Sequence, residues 1–222
     1  MFLTAVLIAS FAVANAQIDL EERIRRENVV RGAIFKNGEV IEGYIRKMGT
    51  TVWQNDTFPA PWEFQGNIRF IPKDVFETSE RIRANMFRRY RPRDIQGYRY
   101  EDMIFESVRY ADMSAAGANM IPRQMFLRRI IYDRISVFHH FASPPTLVTG
   151  AFGEELVRAA QPFYVFRRDG RLRLIDGVGG INMNRDWEDC PYVQAKVDND
   201  EYTGSRLERR LQAIKDFNKH CQ

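Results

Sequence analysis

The chain has 222 residues, 45% of them hydrophobic and 28% charged, and its 33 basic against 29 acidic side chains give a formal net charge of +4. This length is enough for one large domain, or one domain with a small appendage, whose core needs no obligatory staples. The slight basic excess excludes a polycation built for nucleic acid; outside the cytoplasm, the matching partners are an anionic glycan or lipid, or another envelope protein.

The apolar run from Phe2 to Val13, followed by Ala14-Asn15-Ala16, reads as a signal peptide over residues 1–16, with cleavage after Ala16. That run is too short to cross a bilayer core of ~30 Å, and no later stretch is apolar for ~20 residues. The mature chain is therefore expected to carry no transmembrane segment and to be exported to the periplasm, the outer-membrane periphery or the extracellular side. What remains reads as a β-rich domain over 17–185 with a helical C-terminal appendage over 186–222 packed on it. Residues 17–28 are a short helix or an unstructured lead-in.

Asn37-Gly38 in "VVRGAIFKNGEVIEGYIRK" has the chemistry of a type I′ turn and pairs Lys36 with Glu39. Counting outward, Ile34 faces Ile41 and Val30 faces Ile45, with Gly32 opposite Gly43 on the same apolar, closely approachable side. Glu42, Tyr44 and Arg46 fall on the other side. Next comes an aromatic tract, with Trp53, Phe58, Trp62 and Phe64 spaced by Pro59 and Pro61. It is either a contact loop for a sugar or a partner, or a cap on the core. In "RIRANMFRRYRPR", Arg81, Arg83, Arg88, Arg89, Arg91 and Arg93 interleave with Phe87 and Tyr90. Such a segment grips anions by forked hydrogen bonds and stacking, or else protects a strand edge by charge.

Short runs rich in Ile, Phe, Tyr and Val follow ("NIRFIP" before the arginines, then "IQGYRYED", "MIFESVRYAD", "MFLRRIIYDRISVFHHF"). Their spacing predicts an α+β protein, mainly an antiparallel β meander or curled sheet with two short C-terminal helices. A second hairpin turns at Asp169-Gly170, with Phe163, Val165, Leu172 and Leu174 on one side and Arg168, Arg171 and Arg173 on the other. Residues 113–122 and 142–155 read as loops. The glycine-rich "DGVGGINMN" has no helix start behind it and reads as a loop, not a phosphate cradle.

At the C-terminal end, Pro191 suits the first turn of a helix. Ser205 and Glu208 have capping-box spacing, and Leu207, Leu211, Ile214 and Phe217 form one apolar stripe, with Arg206, Arg209, Arg210 and Lys215 largely off it. The two cysteines, Cys190 and Cys221, lack the CxxC or histidine neighbours of a metal or redox site. In an oxidising compartment they are expected to form a disulfide, with two buried free thiols as the alternative.

Several of these segments together resemble a group of small exported proteins of unknown function from Bacteroidetes-type bacteria. The resemblance rests on the hairpin "NGEVIEGYI", the "IRF" strand, "DIQGYRY", "ESVRYAD" and, above all, Asp189-Cys190-Pro191 with the closing Phe217-Asn218 and Cys221. Glu39-Val40 stands where that group often shows Asp-Thr, and "TTVWQNDTFPAPWEF" is individual to this chain. The resemblance implies an exported protein and brings no cofactor and no catalytic residue.

No nucleophile elbow, zinc-protease motif or cofactor loop is present in the sequence. His139 and His140, adjacent on a strand, point to opposite faces and do not share a metal; His220 is a tail residue. The acidic pairs Glu101-Asp102, Glu154-Glu155 and Glu188-Asp189 read as solvated charge. The expected function is a non-enzymatic binding or scaffolding module of the envelope. A hydrolase acting on cell-wall or glycan substrates through carboxylates alone is the alternative.

Overall fold

The computed structural model describes residues 19–53, 55–111, 121–142, 152–176 and 180–221. The expected signal peptide, the new N-terminus at Gln17, most of the loops at 113–122 and 142–155, and residues 177–179 of the glycine-rich stretch lie outside the described residues. The protein is α+β, and its strands pair antiparallel. It divides into two compact units, one of residues 1–48 and 66–104, the other of 49–65 and 105–222.

In the first unit, helix α1 (residues 19–26) leads into strands β1 (Val29–Lys36) and β2 (Glu39–Arg46). Strand β5 (Ile68–Pro72), helix α2 (Lys73–Thr78) and strands β6 (Arg88–Tyr90) and β7 (Gly97–Tyr100) follow. The strand order is β7-β1-β2-β5-β6, which leaves β6 as this unit's outer strand. The first hairpin has the expected register from Lys36↔Glu39 out to Val29↔Arg46. Asn37 and Gly38, at φ 54° and 81°, supply the left-handed pair that a type I′ turn requires.

One face of these strands carries Val30, Ile34, Ile45, Phe70 and Tyr98, all buried. Gly43 belongs to that face for a steric reason: a Cβ there would lie 2.5 Å from the Phe70 ring, so the ring closes over bare backbone. The opposite face is less polar than the alternation of Glu42, Tyr44 and Arg46 implies. Tyr44 is buried against Phe76 of α2 at 4.1 Å between ring centroids. Around them Val29, Ile71 and Phe87 form a second core, with Leu20 and Ile24 of α1 packed on it. The Tyr44 hydroxyl donates to Glu77 at 2.7 Å, and burial together with that carboxylate pushes its pKa up to about 12. Glu42 stays toward solvent, paired with Arg99 at 2.6 Å, whereas Arg46 is half-buried, its guanidinium 4.2 Å above the Phe87 ring and donating to the Glu27 carbonyl at 2.8 Å.

The second unit begins with a small hairpin, β3 (Thr50–Trp53) and β4 (Asp56–Pro59), and a 3-10 turn at Pro61–Gln65. Strands β8 (Met103–Tyr110, entering this unit at Phe105), β9 (Arg123–Ile131), β10 (Ser136–His140), β11 (Phe163–Arg168) and β12 (Arg171–Leu174) form the expected meander, each paired with the next. Helix α3 (Phe152–Ala159) precedes β11. Asp169-Gly170 turns the second hairpin, with Arg168 opposite Arg171 as expected.

Helices α4 (Pro191–Asp198) and α5 (Arg206–His220) close the chain. Pro191 is in the first turn of α4, and the capping box at α5 is complete: Ser205 Oγ accepts from the Glu208 N–H, and Glu208 accepts from the Ser205 N–H at 2.7 Å. Ile214 and Phe217 are fully buried against Val137, Phe166 and Trp187. Leu207 and Leu211 pack at the margin of the same cluster.

Two charged residues depart from the sequence reading. Arg210, read as lying off the apolar stripe, is 5% exposed, and it is held by an ion pair with Asp176. Arg168, read as lying on a polar face, has its guanidinium 4.6 Å above the Phe217 ring. In both cases the arginine stem covers apolar surface while its head reaches a specific acceptor.

Candidate functional site

The six arginines of residues 81–93 are all exposed; Arg88 and Arg89 lie on β6, the outer strand of the first unit, with Arg81 and Arg83 before it and Arg91 and Arg93 after it. Arg91 is committed to Asp94, through its Nε at 3.1 Å and its backbone N–H at 2.9 Å, and this holds the Asp94 carboxyl below the usual range. Arg93 reaches the same carboxylate at 4.0 Å, and Arg88 lies 5.2 Å above the Tyr90 ring. The β5–β6 register sets Arg89 directly opposite Arg69, a residue the sequence reading did not single out. Both are exposed, and among the described residues no carboxylate reaches Arg69, Arg81, Arg83, Arg88 or Arg89. Like charges opposite one another across a ladder repel, so this edge carries an unneutralised cationic strip.

The aromatic tract is divided. Phe64 turns inward and stacks on Phe105 with centroids 5.3 Å apart, and its ring also lies against the backbone of Gly49. Gln65 anchors that turn: its side-chain amide donates to the Phe141 carbonyl at 2.7 Å and accepts from the Phe141 N–H at 2.6 Å. Phe58 and Trp62 are half-buried; the side chain of Trp53 lies outside the described part of the structure.

The C-terminal residues behind the family resemblance converge on one packing site. Cys190 and Cys221 are at disulfide distance, with Cα atoms 5.6 Å apart. Asp189 accepts from Arg168, which lowers its carboxyl pKa, and Arg168 also donates to the Asp186 carbonyl at 2.5 Å. Phe217 packs on Trp187 at 5.7 Å. Asn218 makes two hydrogen bonds to the backbone of Ile135, and Arg134 donates to the Cys221 carbonyl at 3.1 Å. Phe217, Asn218 and Cys221 thus join the end of the last helix to Trp187, Ile135 and Cys190, and Asp189 is held by Arg168 of β11.

His139 and His140 point to opposite faces of β10. His139 meets Tyr164 edge-on at 4.6 Å, while His140 is fully buried beside Tyr110 at 5.1 Å. Burial, with Arg128 adding a smaller repulsion, pushes the His139 pKa down to about 4. Among the described residues no group of three or more His, Cys, Asp or Glu side chains is placed to hold a metal. Nor is any helix among them long and apolar enough to cross a membrane.

One further feature has no counterpart in the sequence reading. Asp176, just past β12, takes Arg206 Nε at 3.2 Å and Arg210 Nη1 on the same carboxylate oxygen, beside a cavity of the second unit. Some thirty residues separate these partners, and no local pattern joins them. No family model, curated protein or solved structure matches the chain.

Proposed function

We propose that this chain is an exported envelope protein of the group it resembles, a non-enzymatic binding module whose partner is an anionic glycan or lipid surface. The observation that carries this reading is the β5–β6 edge, where Arg69 and Arg89 stand opposite each other and, among the described residues, no carboxylate reaches either. Exposed guanidinium groups in that arrangement recruit phosphate, sulfate or carboxylate groups, whose binding relieves the mutual repulsion. Export is supported by the Cys190–Cys221 pair, since such pairs persist in oxidising compartments. The residues most specific to the resemblance have packing roles, which favours a binding module over a hydrolase. So does Asp176, among the described residues the one carboxylate lining a cavity of the second unit, because two arginines already hold it.

The test is retention of the full chain on an acidic polysaccharide matrix and, in a separate arm, on vesicles containing anionic phospholipid. Arg88→Glu with Arg89→Glu should abolish retention in the arm that represents the partner, with little loss of thermal stability, because exposed charges contribute ~0–1 kcal/mol to folding. Retention by the wild type should weaken steeply with salt, since exposed charges are screened over ~8–10 Å. Retention unchanged by the double reversal would reduce the arginines to edge protection and overturn the reading.

A further inference from the structure

We infer a second binding site, in the other unit and independent of the arginine edge: a pocket for a sugar ring that bears a carboxylate. The cavity measures about 430 Å³, within the ~300–1,000 Å³ typical of small-molecule sites. Pro162, Phe163, Tyr164, Leu174 and Leu207 wall it, and Asp176 and Arg206 supply its polar groups. Phe163, at the start of β11, is 39% exposed and lines the cavity.

The charge balance selects the ligand. One carboxylate, Asp176, is shared by two guanidinium groups, so the site has a surplus positive charge. Arg210 is buried and its charge is spent on Asp176, whereas the Arg206 side chain is 65% exposed and comes to Asp176 with its Nε at 3.2 Å. Its terminal nitrogens are left to fork onto an incoming carboxylate. Both arginines bind Oδ1 of Asp176; among the described residues no donor occupies Oδ2, which is left to accept from a hydroxyl. Apolar and aromatic walls suit the C–H face of a pyranose. A fatty acid has no hydroxyl for Asp176, and a neutral sugar brings no second carboxylate to balance Arg206 and Arg210. A carboxylated sugar uses all three features.

The test titrates the full chain with a glucuronic acid disaccharide and with its glucose counterpart, followed by calorimetry. The acidic sugar should bind at least tenfold more tightly than the neutral one. Arg206→Ala should remove at least tenfold of that affinity with an unchanged circular dichroism spectrum, and Phe163→Ala should weaken it severalfold. Arg88→Glu with Arg89→Glu should leave it intact, which separates this pocket from the arginine edge. Equal binding of the two sugars, no binding of either, wild-type affinity in Arg206→Ala, or loss in the Arg88 and Arg89 reversal would each overturn the assignment.

Discussion

Asn218 holds Ile135 from both sides: its Oδ1 accepts from the Ile135 N–H at 2.9 Å, and its Nδ2 donates to the Ile135 carbonyl at 2.9 Å. The side chain thus gives the residue just before β10 the two hydrogen bonds that a neighbouring strand would otherwise supply. Ile135 is fully buried, so losing the amide leaves a donor and an acceptor short of partners. Asn218→Ala should lower the unfolding free energy by about 1–3 kcal/mol. Asn218→Asp should do no better, because a carboxylate cannot donate to the carbonyl. Denaturant midpoints measure both, and an unchanged midpoint in either variant would contradict this role.

The Cys190–Cys221 pair spans 31 residues, which contain α4 and α5. Cross-linking over that loop removes about 3.5 kcal/mol of unfolded-state entropy in the chain-entropy account. Intact mass with and without alkylation should therefore show no reactive thiol in the native, non-reduced protein, and reductant should lower its unfolding midpoint. Cys190→Ala should loosen the last helices while the strands of the first unit persist, and reductant should then have no effect on stability. Two alkylated cysteines in the native protein would contradict the bridge.

The hairpin registers were legible because the decisive chemistry is local: Asn37-Gly38 and Asp169-Gly170 determine the turn, and the turn determines every pair beyond it. Pro191 and the Ser205–Glu208 capping box were legible for the same reason. Tyr44, Arg168 and Arg210 were not, since each is covered, wholly or in part, by an element remote in sequence. Alternation alone cannot say whether a polar residue faces water or a covering helix. Arg69 was not legible because only the β5–β6 register sets it across from Arg89, nor was the Asp176–Arg206 pocket, because no local motif links its parts.

His139 makes the stability of the second unit pH-dependent. Its folded-state pKa of about 4 lies below the ordinary value of 6.5, so between these limits unfolding takes up a proton that the folded chain excludes. Stability is therefore fully present above pH 6.5 and is lost as pH falls toward 4. His139→Gln should flatten that part of the profile, while carboxylate titration remains in both proteins. Denaturation midpoints across the window provide the check, and parallel profiles in the two proteins would contradict the assignment.

The most direct measurement of the binding account pairs stability with retention in one variant, Arg89→Glu. This change turns the repulsive Arg69–Arg89 pair into an attractive one without touching the buried core. An opposite-charge cross-strand pair contributes about 0.2–1 kcal/mol, so the variant should unfold at equal or higher denaturant than the wild type. It should at the same time lose most of its retention on the anionic surface that holds the wild type. Undiminished stability together with lost retention is the expected outcome, because it means that an unfavourable pair is kept for its ligand. Retention equal to that of the wild type at low salt would contradict it.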